Sequence, residues 1–98
     1  MSDCLFCKII EGEIPADIVY EDDHFLAFND INPIAPIHIL IIPKEHIPTL
    51  NNIDEKHTQT MGEIFLAVKK IAQDKGISES GYRTIFNCNK DAQQTVFH

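Results

Sequence analysis

The spacing of apolar positions divides the chain into several short elements and one long helix. Leu5 to Ile10 mix apolar and polar positions and predict a short helix, ended by Gly12 and Pro15. Ile18-Val19-Tyr20-Glu21 predicts a strand, Asp22-Asp23 a turn, and His24 to Asn29 the returning strand of a hairpin. Asn32-Pro33 and Ala35-Pro36 mark a loop. His38-Ile39-Leu40-Ile41-Ile42 is a continuous apolar run stopped by Pro43, the pattern of a strand buried on both faces or nearly so.

Met61, Ile64, Phe65, Val68, Ile71 and Ala72 recur at i, i+3, i+4 and i+7, which gives one apolar stripe on a long helix. Asn52 is its expected cap, with Glu55 three residues on as a partial capping box. Lys69, Lys70 and Lys75 lie near its C-terminal end, opposing the helix dipole, and Gly76 suits the left-handed position that closes it. Beyond Gly81, Tyr82 to Phe86 predicts a strand, Asn87 to Gln94 a polar loop, and Thr95 the start of a further strand. No repeat or linker divides the sequence. The pattern is that of a single α+β domain over residues 1–98, with an antiparallel sheet, one long helix and a short N-terminal one.

Composition narrows the function. With 98 residues, 44% of them hydrophobic, the chain can bury one modest core. A metal or a partner chain would add stability to a domain this small. Fifteen acidic residues against eight basic ones give a net charge of −7, and the longest basic run is Lys69-Lys70. That argues against nucleic-acid binding, which uses clustered Lys and Arg. No apolar stretch approaches the roughly 18 residues of a membrane span. Met1-Ser2-Asp3-Cys4 lacks the basic-then-apolar pattern of a secretion signal. An odd cysteine count of three suits a reducing compartment, so a cytoplasmic location is expected.

Cys4 and Cys7 form a Cys-x-x-Cys pair. As residues alone they admit three readings: two small buried hydrophobes, a redox pair, or half of a tetrahedral zinc site. No strand precedes them to build a thioredoxin-like setting, which weighs against redox. Histidines would complete a metal site. Of the five, His57 is expected in solvent on the polar helix face and His24 exposed beside the turn, leaving His38, His46 and His98. His38 at a strand start is expected to hydrogen-bond a neighbouring loop, and Cys88 to be a small buried residue.

Four blocks carry a family resemblance. They are Cys4-Leu5-Phe6-Cys7-Lys8-Ile9-Ile10 with Glu13-Ile14-Pro15, then Phe28-Asn29-Asp30-Ile31-Asn32-Pro33, then His38 to Ile47 with its Pro43-Lys44-Glu45-His46, and finally Asn87 with Gln94-Thr95-Val96-Phe97-His98. In order and spacing, across essentially the whole chain, they resemble the histidine-triad nucleotide-binding proteins of the zinc-containing bacterial type. The resemblance implies structural zinc on Cys4, Cys7, His46 and His98. It implies a purine-nucleotide site in which Asp30 accepts from both ribose hydroxyls, Phe6, Ile9, Phe28 and Ile31 line the base and ribose, and Asn87 and Thr95 bind phosphate. Leu40 matches the lining too, but its plainer reading is core packing. A homodimer through the long helix and the following strand, Met61 to Phe86, is also implied.

The family's activity is hydrolysis of nucleoside phosphoramidates or related nucleotides through a nucleotidyl-histidine. Its nucleophile is the middle histidine of His-x-His-x-His. His98 matches the first histidine and no residue of this sequence stands at the second, so no catalytic residue is assigned and the C-terminal part of the domain is expected to be missing. A second departure is Gln93, two before Thr95, where the family usually has glycine for close approach to phosphate. The alternatives are a non-catalytic, zinc-stabilised nucleotide-binding or interaction module, and a redox protein using Cys4 and Cys7.

Overall fold

Phe25–Asn29 is the middle strand of a three-stranded antiparallel sheet, and its first four residues are buried on both faces. This is a computed structural model, and it describes residues 4–98; Met1 to Asp3, part of the stretch read above for a leader, lie outside them. In chain order the elements are α1 (Leu5–Ile10), β1 (Ile18–Glu21), β2 (Phe25–Asn29), β3 (Ile39–Pro43) and α2 (Thr58–Asp74), with single 3-10 turns at Leu50–Asn52, Glu55–His57 and Lys90–Ala92. The fold is α+β, as the sequence pattern predicts.

The β1–β2 hairpin turns on Asp22. Its Oδ1 accepts from the backbone N–H of His24 and Phe25, both at 2.8 Å, and its Oδ2 accepts from the Tyr20 hydroxyl at 2.6 Å. An aspartate that hydrogen-bonds its own chain two residues on mimics a backbone turn. The β2–β3 pair runs in unbroken register from Phe25 opposite Pro43 to Asn29 opposite Ile39. Leu26 and Phe28 therefore share a face with Ile42 and Leu40. The buried Ile9 of α1 closes that face, with Phe6, Ile10 and Ile14 packed around it.

Three expectations are corrected. The strand buried on both faces is β2, whereas in β3 only Ile42 is fully buried. β3 has β2 on one side and, among the described residues, no strand on the other, so its apolar run is only partly covered. Tyr82 to Phe86 and Thr95 to His98 do not form strands. A strand exists through its ladder partner, and among the described residues neither segment has one. Tyr82, Ile85 and Phe86 are consequently exposed.

The start of α2 also differs. Asn52 does not cap it with Glu55. Asn52 instead accepts from the Thr49 N–H at 3.2 Å, Asp54 caps the next turn by accepting from Lys56 N–H at 3.0 Å, and α2 follows at Thr58. Short polar side chains there compete for nearby N–H groups and break the entry into two small turns. The helix buries Ile64, Ala67, Ile71 and Ala72, while Phe65 and Leu66 face outward. Gly76 ends it at φ +72°, as expected.

Candidate metal centre and nucleotide-facing residues

One turn of α1 presents both thiols on the same side. Cys4 is the N-cap, its Sγ accepting from the Cys7 N–H at 3.3 Å, and Cys7 follows three residues later. His46 comes from the loop after β3. His98 is brought in by the last residues of the chain. The four donor atoms all lie within 4.8 Å of one another. Cys4 Sγ is 3.3 Å from His98 Nδ1, Cys7 Sγ is 3.3 Å from His46 Nδ1 and 3.4 Å from His98 Nδ1, and the two Nδ1 atoms are 3.2 Å apart. A tetrahedral ion with bonds of about 2.0–2.3 Å needs donors spaced about 3.3–3.8 Å. The cluster fits one metal ion of that size, and the two-sulfur, two-nitrogen set is a closed structural type.

His98 is oriented for this role. Its Nε2 donates to the Pro43 carbonyl at 2.6 Å, which leaves the Nδ1 lone pair facing the other donors. Burial lowers its pKa below the ordinary histidine value, the bond to Pro43 opposes that, and nearby His46 adds to the lowering. The neutral ring, the form that binds a metal, is favoured. Phe6 packs edge-on against His98 with centroids 5.9 Å apart.

The residues expected around a nucleotide fall into three groups. Phe6, Ile9 and Phe28 meet at the α1–sheet junction, with the Phe6 and Phe28 rings 5.7 Å apart, and Leu40 packs there as core. Asp30 follows β2; its Oδ1 accepts from Asn32 N–H at 2.9 Å and its Oδ2 lies 3.4 Å from His38 Nε2. His38 Nδ1 accepts from Ile34 N–H at 3.2 Å, the loop contact expected of it. Ile31 is 91% exposed, and Asn87 and Thr95 sit exposed on the last loop. Beside Asp30 and His38 lies an open cleft of about 310 Å³, and Lys75 reaches its rim.

Several features were not legible from the sequence. His57 is not in solvent: it is 4% exposed, Nδ1 accepting from Asp54 N–H at 3.1 Å and Nε2 donating to Glu45 at 2.9 Å. Cys88 is half-buried rather than fully so. Asn89 adopts φ 66°, ψ −171°, a region almost restricted to glycine, and Gln93 is left-handed at φ 61°.

Over residues 3–98 the sequence matches the family described as scavenger mRNA decapping enzyme C-term binding. It is 51% identical over 94 residues to the purine nucleoside phosphoramidase of Escherichia coli K12, covering 96% of this chain and 79% of that protein. A HIT family hydrolase from Legionella pneumophila has the same fold with a TM-score of 0.96 and 51% identity, over 98% of this chain and 86% of that one. A histidine triad protein from Clostridium difficile gives a TM-score of 0.96 at 49% identity, over 100% and 85% of the two chains.

The chain belongs to the histidine-triad family.

In this histidine-triad chain Gln93, where the resemblance implies glycine, adopts the left-handed backbone that glycine would allow. Gln94, part of the last resemblance block, has no role assigned from the sequence, yet its side chain makes three hydrogen bonds: Oε1 accepts from Asn89 N–H at 2.7 Å, and Nε2 donates to Pro48 O at 2.7 Å and Val96 O at 3.2 Å.

Proposed function

We propose that this histidine-triad chain binds purine nucleotides and, with a complete His-x-His-x-His strand, hydrolyses purine nucleoside phosphoramidates or related nucleotides. The observation that carries the reading is the 51% identity to a purine nucleoside phosphoramidase along 96% of the chain. In such a reaction the central histidine attacks the α-phosphorus, the P–N bond breaks and the amine leaves. Water then releases the monophosphate from the nucleotidyl-histidine. Residues 1–98 supply the holding part: Asp30, acceptor-only when ionised, for the ribose hydroxyls, and Asn87 and Thr95 for phosphate.

Cys4, Cys7, His46 and His98 would hold zinc, which in a closed site supplies cross-linking rather than chemistry at phosphorus. The presence of two imidazoles beside the thiols supports metal over a redox pair, and two thiol ligands suit a reducing cytoplasm. Self-association is part of the reading. Phe65, Leu66, Tyr82, Ile85 and Phe86 are each exposed, and the Phe65 and Phe86 rings lie 5.8 Å apart. Large apolar side chains left in water, two of them in ring contact across α2 and the segment after it, support an interaction site there.

The test is a titration with adenosine monophosphate followed by amide chemical shifts. Shifts centred on Phe6, Asp30, Asn87 and Thr95, weakened at least tenfold in Asp30→Ala, are expected. No shifts at millimolar nucleotide would overturn the reading. Adenosine phosphoramidate should be left intact by residues 1–98 and cleaved once the triad strand is supplied, unless its central histidine is replaced. A zinc-stabilised module that never turns over substrate is the second reading, supported by the closed set of two sulfur and two nitrogen donors; binding without cleavage by the extended chain would select it.

A further inference from the structure

We propose that Gln94 is a positioning residue that holds His46 and His98 at metal-binding distance and fixes the loop between Asn89 and Thr95. This rests on the metal reading above. One amide side chain has one acceptor oxygen and two donor hydrogens. Here all are used. The oxygen takes the Asn89 N–H, and the nitrogen reaches the carbonyls of Pro48 and Val96. Pro48 lies two residues after His46, and Val96 two before His98. The two carbonyls are 48 residues apart in sequence, and one NH₂ group bridges them. A second link returns from the backbone: Gln94 N–H donates to Asn89 O at 3.1 Å, so Gln94 and Asn89 are bound in both directions.

The orientation of the amide follows from its partners. Exchanging its oxygen and nitrogen would set a donor against an N–H and an acceptor against two carbonyls. Glutamate, of equal size, keeps the Asn89 bond and loses both bridging donors, placing a carboxylate against two carbonyl oxygens. Methionine fills the volume and loses all three. The two variants therefore separate filling space from hydrogen bonding.

Cobalt(II) reports tetrahedral sulfur–nitrogen coordination by its visible absorption. Titrating the 98-residue protein with cobalt, then competing with zinc, should show affinity reduced about 10–100-fold in both Gln94→Met and Gln94→Glu, the range typical when partners behind metal ligands are removed. Exchange of the Asn89 amide should speed up in Gln94→Met and stay slow in Gln94→Glu. Far-UV circular dichroism tracks folding, and should the methionine variant not fold, the glutamate variant carries the comparison. Cobalt affinity within twofold of the wild type in Gln94→Glu would overturn the proposal. A wild-type protein that takes up no cobalt would overturn the metal reading instead. The exchange rates then decide the bridge alone: a faster Asn89 amide in Gln94→Met supports it and an unchanged one sinks it.

Discussion

His98 hydrogen-bonds the carbonyl of Pro43, 55 residues away in sequence, at 2.6 Å. Pro43 is the last residue of β3 and lies opposite Phe25 of the buried β2. The orientation of the imidazole is thus set by the sheet. The last residues of the chain are tied to the core, and through the four-donor cluster to α1 as well.

Removing metal should loosen both ends of that tie. A ligand bound only by the folded state adds about 2.7 kcal/mol when free at 100 times its Kd. For a domain of this size that is roughly 10–20 °C in Tm. Thermal melts with zinc and with a chelator should differ by this much, and His98→Ala should abolish the difference. Equal Tm values in both conditions would show that the cluster takes up no zinc.

Acid should weaken the hairpin through Asp22. Burial raises the pKa of this carboxyl, but the Tyr20 hydroxyl and the N–H groups of His24 and Phe25 outweigh it, so the net shift is downward. The folded value therefore lies below the unfolded one, near the ordinary aspartate pKa of about 3.9. Its stabilisation is complete above that value and is lost as pH falls through it toward the folded pKa. Urea melts at successive pH values should show wild type losing more stability than Asp22→Asn below about pH 4. Parallel losses would count against the assignment.

Asn89→Gly should stabilise the protein. Asn89 sits in a backbone region that costs a side-chain-bearing residue about 1–3 kcal/mol, against roughly 0.5–1 kcal/mol of added unfolded-state entropy for glycine. A net gain of about 1 kcal/mol raises the Tm of such a domain by roughly 4–8 °C. Asn89→Ala should lower it. Differential scanning calorimetry distinguishes the two signs.

Leu66→Asp should shift the protein toward monomer. Leu66 is 68% exposed on the outer face of α2, next to the Phe65–Phe86 ring pair. A charge placed in an apolar contact loses its hydration, whereas the same charge on a monomer costs little. Sedimentation velocity should show a concentration-dependent dimer for wild type and a smaller species for the variant. Identical profiles would remove this face from consideration.

The sequence declares features whose cause is local. Asp22-Asp23 announces the turn, and Gly76 the end of α2, because each needs only its own neighbours. Depth of burial is not legible in this way, since β3 has the more apolar run and β2 the central place. That ordering depends on pairing, which no single segment records. His57 looked solvated because its polar partners, Glu45 and Asp54, are supplied by a loop and by the preceding turn. Tyr82 to Phe86 has a strand-like pattern but takes no ladder partner among the described residues. The four candidate metal ligands are legible through the resemblance, whereas Gln94 stands in its last block without a role, because an amide in a polar loop has no spacing signature.

Cys4 has two duties that converge on one sulfur. It starts α1 by accepting from the Cys7 N–H, and it stands among the four clustered side chains that could hold a metal ion. Any agent that captures that sulfur, whether an oxidant, an alkylating reagent or a competing thiophilic ion, also acts on the first turn of a six-residue helix. That helix holds Ile9 over Leu26, Phe28 and Ile42. Chemical damage at a single half-exposed atom is therefore transmitted to the main core, and resistance to proteolysis should follow the state of that thiol.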